Sequence, residues 1–180
     1  MSQKKLSLEE LNRLSVAEFK NIEKHQIILV LDNVRSMNNV GSAFRTADAF
    51  ACQEICLVGI TAQPPHREIS KTALGADESV TWNYFPDTDS CIEYLRKNGW
   101  NIYCVEQVEN PILLQDFNVS KDKKYALVFG NEVFGVGEDF ISLSDGCIEI
   151  PQFGTKHSLN VSVTMGVVVW DFVSKLFPQC

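Results

Sequence analysis

The amino-acid sequence predicts an α/β fold, a mostly parallel sheet with helices on both faces. Three observations carry that expectation. Short apolar runs alternate with helix-patterned segments along the 180 residues, the order that strand–helix–strand units produce. Runs such as Ile27-Ile28-Leu29-Val30-Leu31 are apolar throughout rather than at every second residue, which suits strands covered on both faces. Three segments read as a polar, glycine-bearing turn leading into a helix, and a parallel sheet builds ligand sites from such turns at its strand ends.

The elements follow in order. Ser7-Leu8-Glu9-Glu10 has the form of a capping box and predicts a helix to about Lys24, with Leu8, Leu11, Leu14, Phe19 and Ile22 on its apolar face. Residues 1–26 are thus expected to be an N-terminal helical extension. Ile27 to Leu31 is the first strand. Gly41 to Phe50 is a helix and Glu54 to Ile60 the second strand. A short helix over His66 to Leu74 follows Pro64-Pro65. Ser79 to Phe85 alternates partially and reads as a strand. Asp87 caps a helix that stops at Asn98-Gly99, where glycine supplies a left-handed end. Trp100 to Val105 is a strand, and Pro111 to Lys124 shows no regular pattern. Tyr125 to Phe129 is a strand, Glu138 to Leu143 a short helix, Cys147 to Ile150 a strand, and Ser158 to Leu176 the final helix. No repeat, low-complexity tract or linker interrupts this order, so residues 1–180 are expected to form a single domain, with no room for a separate second one.

Composition narrows the class. The chain is 45% hydrophobic and 22% charged, enough apolar mass for a real core. No apolar run approaches the ~20 residues that cross a bilayer. The start, Met1-Ser2-Gln3-Lys4-Lys5, lacks the apolar core of a signal peptide. No membrane is expected as a partner, and the cytoplasm is the expected compartment. Cys52, Cys56, Cys91, Cys104, Cys147 and Cys180 form no C-x-x-C pair, and His25, His66 and His157 are scattered. Buried reduced thiols are expected, and no metal site. A net charge of −7 argues against a general nucleic-acid coat protein. A local basic footprint could still be assembled from Arg35, Arg45, Arg67, Lys71 and Lys156, with His157 as a further loop residue near it.

Familiar nucleotide signatures fail. No G-x-G-x-x-G follows the first strand. Gly130, Gly135 and Gly137 echo a phosphate loop, but Glu138 and Asp139 stand where a lysine and a hydroxyl belong and would repel a polyphosphate. No Gly-x-Ser-x-Gly elbow is present. The turns suit a flat ring better. Gly130 would let a ligand approach the backbone, and Ile150 and Leu159 could sandwich a ring whose edge is read by backbone groups.

Three motifs occur in order: Asn39-x-Gly41-x-x-x-Arg45-Thr46-Ala47, Gly130-Asn131-Glu132-x-x-Gly135, and Ile150-Pro151 followed by Ser158-Leu159-Asn160-Val161-Ser162. Together they resemble the signature motifs of the SpoU (TrmH) branch of the SPOUT RNA methyltransferases, over roughly Ile27 to Leu176. Lys71-x-x-x-Gly75-Ala76 is similar to the family's middle segment. The resemblance implies a C-terminal deep trefoil knot in the sheet, S-adenosylmethionine as cofactor, and a homodimer with a shared active site. It implies methyl transfer to a ribose 2′-hydroxyl of tRNA or rRNA. Gly130, Ile150 and Leu159 match cofactor positions. Asn39, Arg45, Glu132, Ser158 and Asn160 match catalytic or active-site positions.

Plainer roles compete. Asn39 is also a candidate helix cap, Ser158 or Asn160 could cap the last helix, and Glu132 could hold its loop in shape. Arg45 is a poor base, because guanidinium has a pKa above ~12, and it could instead grip a phosphate and stabilise an alkoxide. The final helix is apolar on more than one face, which agrees with a dimer. Rival functions are an inactive RNA-binding relative, a methyltransferase acting on a base, and a docking protein.

Overall fold

The computed structural model describes residues 4–7, 10, 13–156 and 158–177. Among these residues seven strands form one all-parallel sheet: β1 (His25–Asp32), β2 (Cys52–Val58), β3 (Trp82–Phe85), β4 (Asn101–Val105), β5 (Ile112–Leu113), β6 (Tyr125–Phe129) and β7 (Gly146–Glu149). Their order across the sheet is β3-β2-β1-β6-β4-β7-β5. The helices are α1 (Val16–Asn21), α2 (Met37–Ala49), α3 (Arg67–Ala73), α4 (Ala76–Ser79), α5 (Thr88–Lys97), α6 (Glu138–Leu143) and α7 (Val161–Leu176).

The central strands explain the two-sided core. Ile27, Leu29 and Leu31 of β1 point into one cluster with Val40, Phe44, Met165, Val168 and Phe172 of α2 and α7. Ile28 and Val30 point the other way, into a second cluster with Cys91 and Leu95 of α5 and Phe140 of α6. Every one of those β1 residues is fully buried, so no alternation was available to the sequence pattern.

Several boundaries move. The S-x-x-E box that opens α1 is Ser15-Glu18, not Ser7-Glu10: the Ser15 hydroxyl accepts from Glu18 N–H, and the Glu18 carboxylate accepts from Ser15 N–H at 2.8 Å. Ser7 and Glu10 make the same pair of bonds, but Glu10 lies in a turn. Leu8, Glu9, Leu11 and Asn12 lie outside the described residues, as do His157 and Cys180. Helix α2 starts one turn before Gly41, because the Ser36 hydroxyl accepts from Asn39 N–H and caps it. Strand β2 ends at Val58, not Ile60, since Gly59 takes a left-handed φ of 63°. Ser79 closes α4 instead of opening a strand, and its hydroxyl donates to Asp48 Oδ1 at 2.6 Å. The irregular stretch after Pro111 contains the two-residue edge strand β5 and a 3-10 turn, Leu114–Asp116. Asp87 caps α5 by accepting from Ser90 N–H, and Gly99 follows it with φ 75°.

Five cysteines, Cys52, Cys56, Cys91, Cys104 and Cys147, are free and buried. Burial pushes the Cys52 and Cys104 thiols up to about 12, so they stay protonated and inert at neutral pH. Among the described residues no helix is long and apolar enough to cross a membrane. Nor, among them, is any group of three or more His, Cys, Asp and Glu placed to hold a metal ion.

Candidate active site

A ligand-sized cleft lies beyond the C-terminal ends of β4, β6 and β7, where an open parallel sheet binds its ligands. It has a volume of about 490 Å³, within the range of small-molecule sites. Gly130, Ile150 and Leu159 all line it, with Glu132, Ser158 and Asn160. Six of the eight residues singled out from the motifs therefore share one cavity.

Its rim is tied together by a chain of side chains from all three motifs. Glu132 Oε1 accepts from Asn39 Nδ2 at 2.8 Å and from Ser36 N–H at 3.0 Å, while Oε2 accepts from Arg35 N–H at 3.1 Å. Asn39 Oδ1 accepts from Asn160 Nδ2 at 3.4 Å. Asn160 also caps α7, its Oδ1 accepting from Ser162 N–H at 2.8 Å. Asn160 thus combines the cap and a reach across the site, using opposite ends of one amide. The cap reading of Asn39 is overturned: Ser36 caps α2, and the Asn39 side chain turns inward, nearly buried, to Glu132. Burial raises the Glu132 carboxyl, but the Asn39 amide and the neighbouring backbone N–H groups outweigh it and hold it below the ordinary value. Glu132 is therefore a fixed anion that pins its loop to the start of α2.

Gly130 lines the cleft and also permits a close contact within the chain. A Cβ there would overlap backbone atoms of Gly135 and Val136. The close approach is made by the chain itself, because Asn131 and Gly135 exchange both backbone hydrogen bonds at 2.9 Å. Behind this loop, buried Asp32 accepts from Gly137 N–H and Asn33 Nδ2, each at 2.7 Å, and burial pushes its carboxyl up.

Two residues were missed. Asn131 is nearly buried and donates to Asn33 O at 2.8 Å, while its Oδ1 accepts from Val133 and Phe134 N–H. Its signal was present: an Asn followed at a short interval by Gly favours a local side-chain turn. Glu106 lines the cleft and accepts from Val136 N–H at 2.8 Å. It follows β4 in a stretch without motif, and nothing in the sequence marks it.

Arg45 stands apart. It is exposed and lines a separate, shallow recess with Ser42, Thr46, Ala49, Phe50, Lys71, Thr72 and Leu74. Phe50, at one wall of that recess, lies 6.0 Å from the ring of Trp170 on α7. Val163, Val167 and Trp170 form an exposed apolar stripe along α7.

The chain is similar to known proteins over most of its length. The model of the SpoU rRNA Methylase family matches residues 26–170. The chain is 30% identical over 163 residues to the tRNA (guanosine(18)-2′-O)-methyltransferase of Thermus thermophilus, covering 90% of this chain and 81% of that protein. It is similar in structure to the A. aeolicus TrmH/SpoU tRNA modifying enzyme, with a TM-score of 0.79 at 21% identity over 91% of this chain and 82% of the other. The AdoMet-bound rRNA methyltransferase of Sinorhizobium meliloti gives a TM-score of 0.79 at 24% identity, over 88% of this chain and 60% of that one. A family model spanning most of the chain, with all three motifs inside it, makes this protein a member of the SpoU rRNA methylase family.

Proposed function

We propose that this chain transfers the methyl group of S-adenosylmethionine to a ribose 2′-hydroxyl of tRNA or rRNA, as a homodimer whose active site is shared between subunits. The observation that carries the reading is the Glu132–Asn39–Asn160 linkage across the mouth of a nucleoside-sized cleft. The relatives' names support the ribose acceptor, and the RNA remains either class they include.

The lining fits the cofactor. Ile150 and Leu159 offer apolar surface to a ring, and Glu106, Glu132 and Glu149 put carboxylates around the cavity. That charge suits a cationic sulfonium and disfavours a polyphosphate. When bound, S-adenosylmethionine supplies an electrophilic methyl group. The protein's task is then to hold the acceptor hydroxyl in line and to stabilise its developing negative charge. Glu132 is unsuited as the base, because three N–H donors already occupy its oxygens and keep it a weak one. Arg45 makes no hydrogen bond to another described residue, and its fork suits a phosphate beside the acceptor ribose.

The position of Arg45 supports the dimer. Within one chain it faces the recess beside the α7 stripe, not the cleft. A second copy seated on Val163, Val167 and Trp170 would bury that stripe and bring Arg45 to the partner's cleft. Isothermal titration with S-adenosylmethionine tests the cofactor part. The reading expects one site per chain, and an absence of binding contradicts it, leaving an inactive RNA-binding relative or a docking protein.

A further inference from the structure

The loop after β6 holds an apolar side chain in water by rigid means. Asn131 and Gly135 close it with two backbone bonds at 2.9 Å, and Asn131 Oδ1 accepts from Val133 N–H at 2.8 Å and Phe134 N–H at 3.2 Å. Gly135 adopts φ 70°, and a Cβ there would overlap the Glu106 carboxylate. These bonds fix the main chain on which Val133 and Phe134 stand. Phe134 is left 83% exposed, and it lines the mouth of the cleft.

We infer that Phe134 is a stacking platform for the base of the acceptor nucleotide, an inference that rests on the function proposed above. A ribose brought to the cleft carries its base directly on the sugar, so that base must sit at the rim. A base in that position is unstacked from its neighbours, and proteins recognise unstacked bases on aromatic faces. The adjacent Glu132 is fully engaged with Arg35, Ser36 and Asn39, so it cannot read the base edge. Val133 is exposed beside it, but the Phe134 ring is the aromatic face this loop presents.

The test compares wild type with Phe134→Ala, Phe134→Leu and Phe134→Tyr, using total tRNA and rRNA as acceptors and calorimetry for S-adenosylmethionine. Removing an exposed ring should leave the fold intact. Phe134→Ala should raise the KM for RNA about tenfold or more, the scale of one lost stacked base. Stacking kept in the transition state affects kcat little, and cofactor affinity should not move. Tyrosine should restore the KM and leucine should not. Restoration by leucine would show a simple apolar cover instead. Weakened cofactor binding with unchanged RNA KM would make Phe134 a wall of the cofactor site. Either result overturns the inference, as does an unchanged KM in an active Phe134→Ala enzyme, which leaves the methyltransferase reading standing. A wild type that labels no RNA overturns both.

Discussion

Asn39 donates to Glu132 at 2.8 Å across a sequence separation of 93 residues, joining the start of α2 to the loop after β6. The same Asn39 amide accepts from Asn160, so three segments beyond the C-terminal ends of the strands are held in one geometry. Such a linkage is a way to keep a site within the tolerance that in-line transfer demands.

Breaking the linkage should cost both activity and stability. Asn39→Ala leaves Glu132 with its two backbone donors and Asn160 Nδ2 without a partner. A loss of about 1–2 kcal/mol in unfolding free energy is expected, the scale of a removed hydrogen bond, with at least a tenfold loss in kcat. Asn39→Asp should be worse, since it sets a second carboxylate against Glu132. Denaturant melts and initial rates check both, and a fully active Asn39→Asp would refute the linkage's importance.

The depressed Glu132 carboxyl makes a pH prediction with a definite sign. Its folded value lies below the ordinary 4.5, so the ionised form favours folding. That contribution is complete above the ordinary value and fades as pH falls through the folded one. The stability gap between wild type and Glu132→Gln should therefore be flat from neutral pH down to about 5 and shrink below it. A gap that widens on acidification would mean Glu132 is not held as an anion.

Arg45→Lys keeps the charge and loses the fork. Nearly all methyl transfer should disappear while the affinity for S-adenosylmethionine survives. Mixing Arg45→Ala with Asn160→Ala protein separates a shared site from a self-contained one. If Arg45 serves the partner's cleft, random subunit exchange should restore about a quarter of the wild-type activity. If it serves its own, nothing returns.

Gly130→Ala should fail structurally. The added carbon meets the backbone of Gly135 and Val136, which has no flexible side chain to yield. A destabilisation of more than about 2 kcal/mol is expected, with loss of cofactor binding. A stable variant with normal binding would show that the loop opens more easily than its hydrogen bonds imply.

The sheet was legible because its strands are continuous apolar runs, and β1, β4 and β6 fall close to where those runs lie. Helix starts were harder. Two S-x-x-E boxes compete before β1, and the local pattern does not say which one carries a helix that packs; only Phe19 reaches the core. Ser36 was hidden because Met37 and Asn38 add no apolar periodicity. In the site, Glu132 as the residue that shapes its loop was readable from its place between two glycines. Gly130 was readable as a place of close approach, but a glycine does not say what approaches; the backbone of Gly135 and Val136 does so beside the cleft that Gly130 lines. Asn39 showed a side chain suited to capping, but a neighbour four residues away from Val40 took that task. The role of Arg45 depends on a second chain in the reading proposed, and in the sequence only the family resemblance and the apolar last helix point to one.

The most direct measurement is transfer of radiolabel from S-adenosylmethionine to total cellular RNA, followed by nuclease digestion and nucleoside chromatography. The account predicts label in a single 2′-O-methylated nucleoside, abolished by Arg45→Lys. Label on a base, or none on any RNA by a protein that binds the cofactor, would contradict it.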